Sequence, residues 1–373
     1  MFNSVSALKA LLIFMALLLY APFSAQSDKQ YAAWQTPLYA ALQEEYKAVL
    51  YYSDDKYDQG LSSLQEKIDA ALAKDPKNPL LLLMAYRTAM DRVSITPDVL
   101  EMDIPEDSKN VRWDSKEFSI AEKLRLKAVY QRLEDQSQKA LEYLLRAEPL
   151  SEKQTLHALA SYYIDGYFPK GNLESKGTTY LEYKVDNKVL DLLERSFNLG
   201  YEDAGYTLSR VLILGLGSIT QDTSRGEKIA QGLKEKAAFY YEIGRAFLES
   251  DLSNDFTMPV RSLHQASRYM HLSAESGFNE ADLLLSKSYL NALGASNFTP
   301  LDTKKAYFHA DRAANSASSL PEAYFIKAIL TLYGEGVTQD RKAALAMLLE
   351  LKALGNKFSQ SQDIEKYIAE ASK

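Results

Sequence analysis

No cysteine occurs among the 373 residues. Its absence excludes disulfide scaffolds, cysteine nucleophiles, thiolate zinc sites, iron–sulfur clusters and a lipid-modified N-terminal cysteine. Glycine (16) and proline (11) are sparse while 46% of residues are hydrophobic, which excludes a collagen-like or disordered chain. Basic residues fall short of acidic ones, 43 against 50. The resulting charge of −7 argues against an electrostatic grip on nucleic acid or an anionic membrane surface. What abounds is tyrosine, with 25 Tyr against 14 Phe and 2 Trp.

The first 25 residues read as an address. Lys9 precedes an apolar run of eleven residues, Ala10 to Tyr20, followed by Ala21-Pro22-Phe23-Ser24-Ala25. A positive start, a short apolar core, a proline break and small residues are the order of a secretory signal. The run is too short to cross a bilayer, which takes about 20 residues. Cleavage is expected after Ala25 or Ser27, leaving a soluble exported protein with no integral membrane segment and, without Lys9, a charge of −8. An exported chain without cysteine must hold itself together by packing alone.

Beyond the signal, apolar spacing is helical nearly everywhere. Tyr57, Leu61, Leu64, Ile68 and Ala71 recur at intervals of 4, 3, 4 and 3, one stripe of a helix. Asp75-Pro76-Lys77-Asn78-Pro79 ends it, and a second helix is expected from Leu80 to about Arg92. Short breaks of this kind favour antiparallel hairpins. Residues 94–117, with Pro97, Pro105 and Trp113, lack periodicity and read as an insertion. Helices are expected again over Phe118–Gln136 and Ser137–Ala147, with a stop at Glu148-Pro149-Leu150, and then on through Tyr163. A further irregular loop covers about Ile164 to Thr178.

The strongest signal is internal repetition. Ala281 to Gly294, followed by Lys304-Lys305-Ala306, aligns with Ala323 to Asp340, followed by Arg341-Lys342-Ala343-Ala344. Earlier copies start at Ala204, with Leu208, Gly215, Gly217 and Asp222, and at Phe239, with Ile243, Gly244 and Phe247. A degenerate copy starts near Thr155. The starts lie 49, 35, 42 and 42 residues apart. This pattern resembles the Sel-one-like repeat, a relative of the tetratricopeptide repeat with two antiparallel helices, A and B, per copy. The matching features are the small residue opening helix A, the Gly-x-Gly-Val loop before Asp340, the Lys-Ala opening helix B and the Gly before the next copy. The copy from Ala323 to Gly355 matches best, whereas the Phe239 copy lacks the Gly-x-Gly.

The resemblance implies an all-α, right-handed α-solenoid of antiparallel helix hairpins. Its expected parts are a signal at 1–25, tetratricopeptide-like hairpins over 26–154, the repeat array over 155–355 and a capping helix over 356–373. A hairpin that cannot bury its apolar face alone is stabilised by stacking on its neighbours.

Signals for chemistry are scarce. His264 and His271 are two helical turns apart, roughly 10 Å along the axis, too far to share a metal, and neither lies in His-Glu-x-x-His. Gly215/Gly217 and Gly334/Gly336 lack the third glycine and the preceding strand of a phosphate loop, so they read as turn residues. In the P-loop-like spacing Gly166 to Gly171, Asn172 stands where the lysine would be. Ser53 and Lys56 satisfy Ser-x-x-Lys, but its companion motifs are absent. Glu44/Glu45 and Asp54/Asp55 read as solvated helix ends. No enzyme, metal or cofactor is expected.

Helix A carries the functional expectation. Positions 0, +4, +5 and +8 from each start share one face and should be buried; +2, +6 and +9 point the other way, where a solenoid presents its concave surface. Those positions hold Tyr206, Arg210, Ile213; Tyr241, Arg245, Leu248; Leu283, Lys287, Leu290; and Phe325, Ile329, Leu332. An apolar and aromatic groove with a ladder of Arg210, Arg245 and Lys287 suits a protein segment carrying acidic residues. The competing expectation is that the apolar residues pack helix A on its neighbours and the basic ones pair with acids of adjacent repeats. The partner-binding set is thus Tyr206, Arg210, Tyr241, Arg245, Lys287 and Phe325. Family likeness implies an interaction scaffold in the bacterial envelope, bound to an envelope complex, or alternatively a periplasmic immunity protein that neutralises a secreted effector such as a phospholipase.

Overall fold

The computed structural model describes residues 32–51, 54–94, 120–166, 183–249, 262–315, 320–355 and 364–373. Among these residues all regular structure is helical, and none of the helices is long and apolar enough to cross a membrane. The chain divides into two compact units, Met1–Leu208 with Gly217–Ile219, and Ser209–Leu216 with Thr220–Lys373.

The first unit is built from α1 (Pro37–Val49), α2 (Asp54–Lys74), α3 (Pro79–Ser94), α4 (Ile120–Ala147), α5 (Lys153–Asp165), α6 (Asn187–Asn198) and the start of α7 (Glu202–Leu214). The stripe read from the sequence forms its core: Leu64, Ile68 and Ala71 of α2 cluster with Leu80, Leu81 and Leu82 of α3. Pro79 opens α3, where the missing N–H would be unpaired in any case. Asn78 Oδ1 accepts hydrogen bonds from the N–H groups of Leu80 and Leu81, at 3.1 and 3.3 Å.

One expectation is corrected here. The two helices read over 118–136 and 137–147 are a single helix, α4, 28 residues long. Ser137 does not start a helix; it is buried within α4, its hydroxyl 2.5 Å from that of Tyr162 on α5. A serine with a partner across the interface has no need to cap. The helix stops at a 3-10 turn, Glu148–Leu150, with Ser151 left-handed at φ 51°. The segments expected to be a signal, an insertion after Ser94 and a loop after Gly166 lie outside the described residues.

The second unit contains the rest of α7, then α8 (Thr223–Ala230), α9 (Lys236–Glu249), α10 (Leu263–Glu275), α11 (Asn279–Tyr289), α12 (Thr303–Ala314), α13 (Pro321–Tyr333), α14 (Arg341–Ala353) and α15 (Ile364–Ala371). From α9 onward each helix packs against the next. Helix A of the repeats is α5, α7, α9, α11 and α13. From Ala204 to Thr331, positions 0, +4, +5 and +8 are all buried except Lys327, which is half-buried.

A hydrogen bond recurs in the same register. The carbonyl at position +8 accepts from the N–H of the residue that caps helix B: Leu212 from Asp222, Phe247 from Ser262, Tyr289 from Asp302 and Thr331 from Asp340, all at 2.9–3.0 Å. The side chain of each capping residue then accepts from the N–H three residues further on, in Arg225, Gln265, Lys305 and Ala343. One residue thereby closes the end of helix A and the start of helix B. In the Ala204 and Ala323 copies the Gly-x-Gly residues turn the chain between the two helices with φ of 61–74°. A Cβ on Gly336 would collide with the backbone carbonyl of Thr303, so the loop needs glycine there for space as well as for its φ. The capping helix expected at the C-terminus is α15, whose Tyr367, Ile368 and Ala371 pack on Ala328, Leu332, Ala344 and Leu348.

Candidate protein-binding face

The six residues expected to bind a partner all lie on helix A, in differing surroundings. Tyr206, half-buried, belongs to the first unit, and the other five belong to the second. Arg210 is exposed and makes no ion pair among the described residues. Arg245 is also exposed, but its guanidinium donates from Nε to Glu249 Oε1 at 2.9 Å, one turn along α9. That hydrogen bond holds Arg245 still more firmly protonated than usual. Lys287 Nζ donates to Glu322 Oε1 at 2.8 Å and so ties α11 to α13.

The aromatic members are packed rather than open. Tyr241 lies against Phe278, ring centroids 5.0 Å apart. Burial raises its phenol above the ordinary value, and Arg245 opposes the shift. Phe325 meets Tyr367 of α15 edge-on at 5.7 Å. Ile213 and Leu332, expected on the open face, are buried, and Leu283 packs with Ala313, Ala314 and Ala323. Of the nine apolar positions expected on the open face, Ile213 and Leu332 are buried and the other seven are half-buried; Arg210 and Arg245 are exposed, the second paired with Glu249.

The spacing of Arg245 and Glu249, four residues on one helix, could have revealed their pairing. Nothing local marks Glu322 as the partner of Lys287. Glu44 and Glu45, expected at a helix end, lie within α1 and pair with Lys47 and Lys67. Ser53 lies outside the described residues.

Of the four histidines His309 is buried, His157 and His271 are half-buried and His264 is exposed. His157 Nε2 is 3.0 Å from Thr207 Oγ1, and burial holds its imidazole below the ordinary value despite the nearby Asp203. His271 Nε2 is 3.1 Å from the Tyr289 hydroxyl, whereas His264 is exposed. His309 Nδ1 lies 2.8 Å from Asp282 Oδ1, and Arg312 donates from Nε to Asp282 Oδ2 at 2.7 Å. Asp282 is 1% exposed and both its oxygens are engaged, so it joins α11 to α12 and offers nothing to a substrate. Among the described residues no three His, Asp or Glu are placed to hold a metal.

No protein-family model matches the sequence. No curated protein matches it either. Among solved structures, the likeness is to proteins of the repeat type already read from the residues. The chain is similar to Sel1 repeat proteins. One is the Sel1 repeat protein from Oxalobacter formigenes, with 14% identity and a TM-score of 0.31, the match covering 67% of this chain and 96% of that one. Another is c5321, a protective antigen of uropathogenic Escherichia coli strains displaying an SLR fold. It shares 14% identity with a TM-score of 0.27, over 90% of this chain and 82% of that one. The Sel1-like pattern in this chain rests on its own register: buried 0, +4, +5 and +8 positions and the recurrent bond at +8.

Proposed function

We propose that this protein is a non-enzymatic scaffold, exported to the bacterial periplasm, that binds a protein partner through helix A of its second unit. The observation that carries this reading is the recurrence of an exposed arginine at one register position, Arg210 on α7 and Arg245, paired only within its own helix to Glu249, on α9. Exposed arginines can exchange weak intramolecular contacts for a carboxylate on a partner, because the guanidinium fork binds carboxylates in bidentate geometry. Export is supported by the signal-like order of residues 1–25.

The test is affinity capture from envelope extract with the wild-type chain and the double variant Arg210→Glu, Arg245→Glu. The variant should retain its far-UV circular dichroism and lose the captured protein. Unchanged capture removes these arginines from the interface. The identity of what is captured separates two roles: several envelope components fit a scaffold, whereas a single effector held at one-to-one stoichiometry fits an immunity protein.

A further inference from the structure

The outward face of α1 is not built like that of a terminal helix. A stack of hairpins stays soluble when its end helices turn polar faces to solvent, and α15, which caps the second unit, is exposed at Glu365, Lys366 and Ala369. α1 buries Tyr39, Leu42 and Val49. Its opposite side exposes Pro37, Ala40, Ala41, Glu44, Lys47 and Ala48. Leu50 and Tyr51 continue that exposed run, Tyr51 to 89%. They stay close to helical phase, because their N–H groups still donate to the carbonyls of Tyr46 and Ala48, both at 3.2 Å.

The segment leading into α1 lies on the inner side of the helix. Asn78 donates from Nδ2 to the Trp34 carbonyl at 3.1 Å, and the Trp34 ring packs on the core of α2 and α3. The two charges on the outward face meet each other, Lys47 Nζ donating to Glu44 Oε1 at 2.7 Å. Both are well exposed, and an exposed pair of this kind is worth little, so either member can be exchanged for another partner.

We infer that this face binds a second copy of itself, with α1 lying antiparallel on its counterpart about a two-fold axis between residues 45 and 46. Residues whose numbers sum to 91 then face each other. Glu44 meets Lys47 of the second copy twice over, Tyr51 lies over Ala40, and Leu50 lies beside Ala41. Each large side chain is set against a small one and each charge against its opposite, which is the self-complementarity a two-fold interface requires. Sliding the pair by one residue triplet, to a sum of 88, would bring the two Glu44 side chains together, so charge fixes the register. An unrelated partner would give no reason for the face to match its own reversed copy. Two helices of 13 residues bury less than the roughly 1,600 Å² of a standard interface, so the dimer is weak and exchanging, with a dissociation constant of about 100 µM. The contact lies in the first unit and does not involve Arg210 or Arg245.

The experiment is sedimentation velocity of the full chain at loadings from about 1 to 300 µM, where a dissociation constant of this size moves most chains from monomer to dimer. Lys47→Glu and Glu44→Lys each set like charges against each other across the axis and should each weaken self-association at least about tenfold. An equimolar mixture of the two variants restores both opposite-charge contacts and should associate as the wild type does. So should the double variant Glu44→Lys, Lys47→Glu. Recovery in the mixture also shows that neither substitution has damaged the fold, and the double variant Arg210→Glu, Arg245→Glu should dimerise unchanged. A wild-type chain that stays monomeric up to about 300 µM overturns the inference. Self-association that Lys47→Glu leaves unaltered, or a mixture that associates no better than either variant alone, overturns it equally.

Discussion

Tyrosine hydroxyls repeatedly meet carboxylates on other helices. Tyr46 donates to Asp91 and Tyr143 to Asp69, both at 2.6 Å, Tyr269 to Glu227 at 2.8 Å, Tyr333 to Glu370 at 3.0 Å, and Tyr324 pairs with Glu350. This accounts for part of the tyrosine excess. Phenylalanine fills the same apolar gap but removes one donor from the carboxylate. Burial first, and the carboxylate second, raises the phenols of Tyr46, Tyr143 and Tyr269, and lifts that of Tyr324 to about 12. A folded-state value above the unfolded one stabilises the fold fully below the unfolded value and progressively less as pH climbs through the folded one. The denaturant midpoint should therefore hold steady up to about pH 10 and fall beyond it. Tyr269→Phe should flatten that fall and cost about 1–2 kcal/mol at neutral pH. Parallel pH profiles for variant and wild type would show that this phenol is not part of the linkage.

Between helices, a cap recurs in four copies and joins helix A to helix B, and in the Ala204 and Ala323 copies a Gly-x-Gly turns the loop between them. Asp340→Ala removes the acceptor for the Ala343 N–H at the start of α14 and should cost about 1 kcal/mol in equilibrium unfolding. Gly336→Ala should cost more, roughly 2 kcal/mol or above, because it strains a φ of 74° and drives a methyl group into the Thr303 backbone. If the two variants proved equally mild, the close approach at Gly336 would not be the constraint argued here. Asp340 and Gly336 were legible in the sequence because caps and left-handed turns depend on residues a few positions apart. Ser137 was misread for the complementary reason: its hydroxyl partner is Tyr162, 25 residues on. No local pattern distinguishes a buried serine from a capping one.

In the second unit, stability should be passed from neighbour to neighbour. Deleting residues 364–373 would uncover Phe325, Ile329, Leu345 and Met347, which pack against α15 or within its cluster. Amide exchange should then quicken in α13 and α14 while α9 and α10 stay protected. Equal acceleration throughout would indicate one cooperative block in place of a nearest-neighbour array. By itself the sequence determined the helical class, the phase of the repeats and the buried positions 0, +4, +5 and +8. Those features follow from helical periodicity and from turn and cap chemistry contained within one hairpin. Tertiary structure alone decided which outward positions stayed open. Ile213 and Leu332 are buried, Phe325 is half-buried against Tyr367, and Lys287 is held by Glu322, 35 residues away, whereas Arg210 and Arg245 are exposed. The reason is physical: a side chain's environment on an outward face is set by the neighbouring helix and the length of the intervening loop, and neither is contained in the side chain's own repeat.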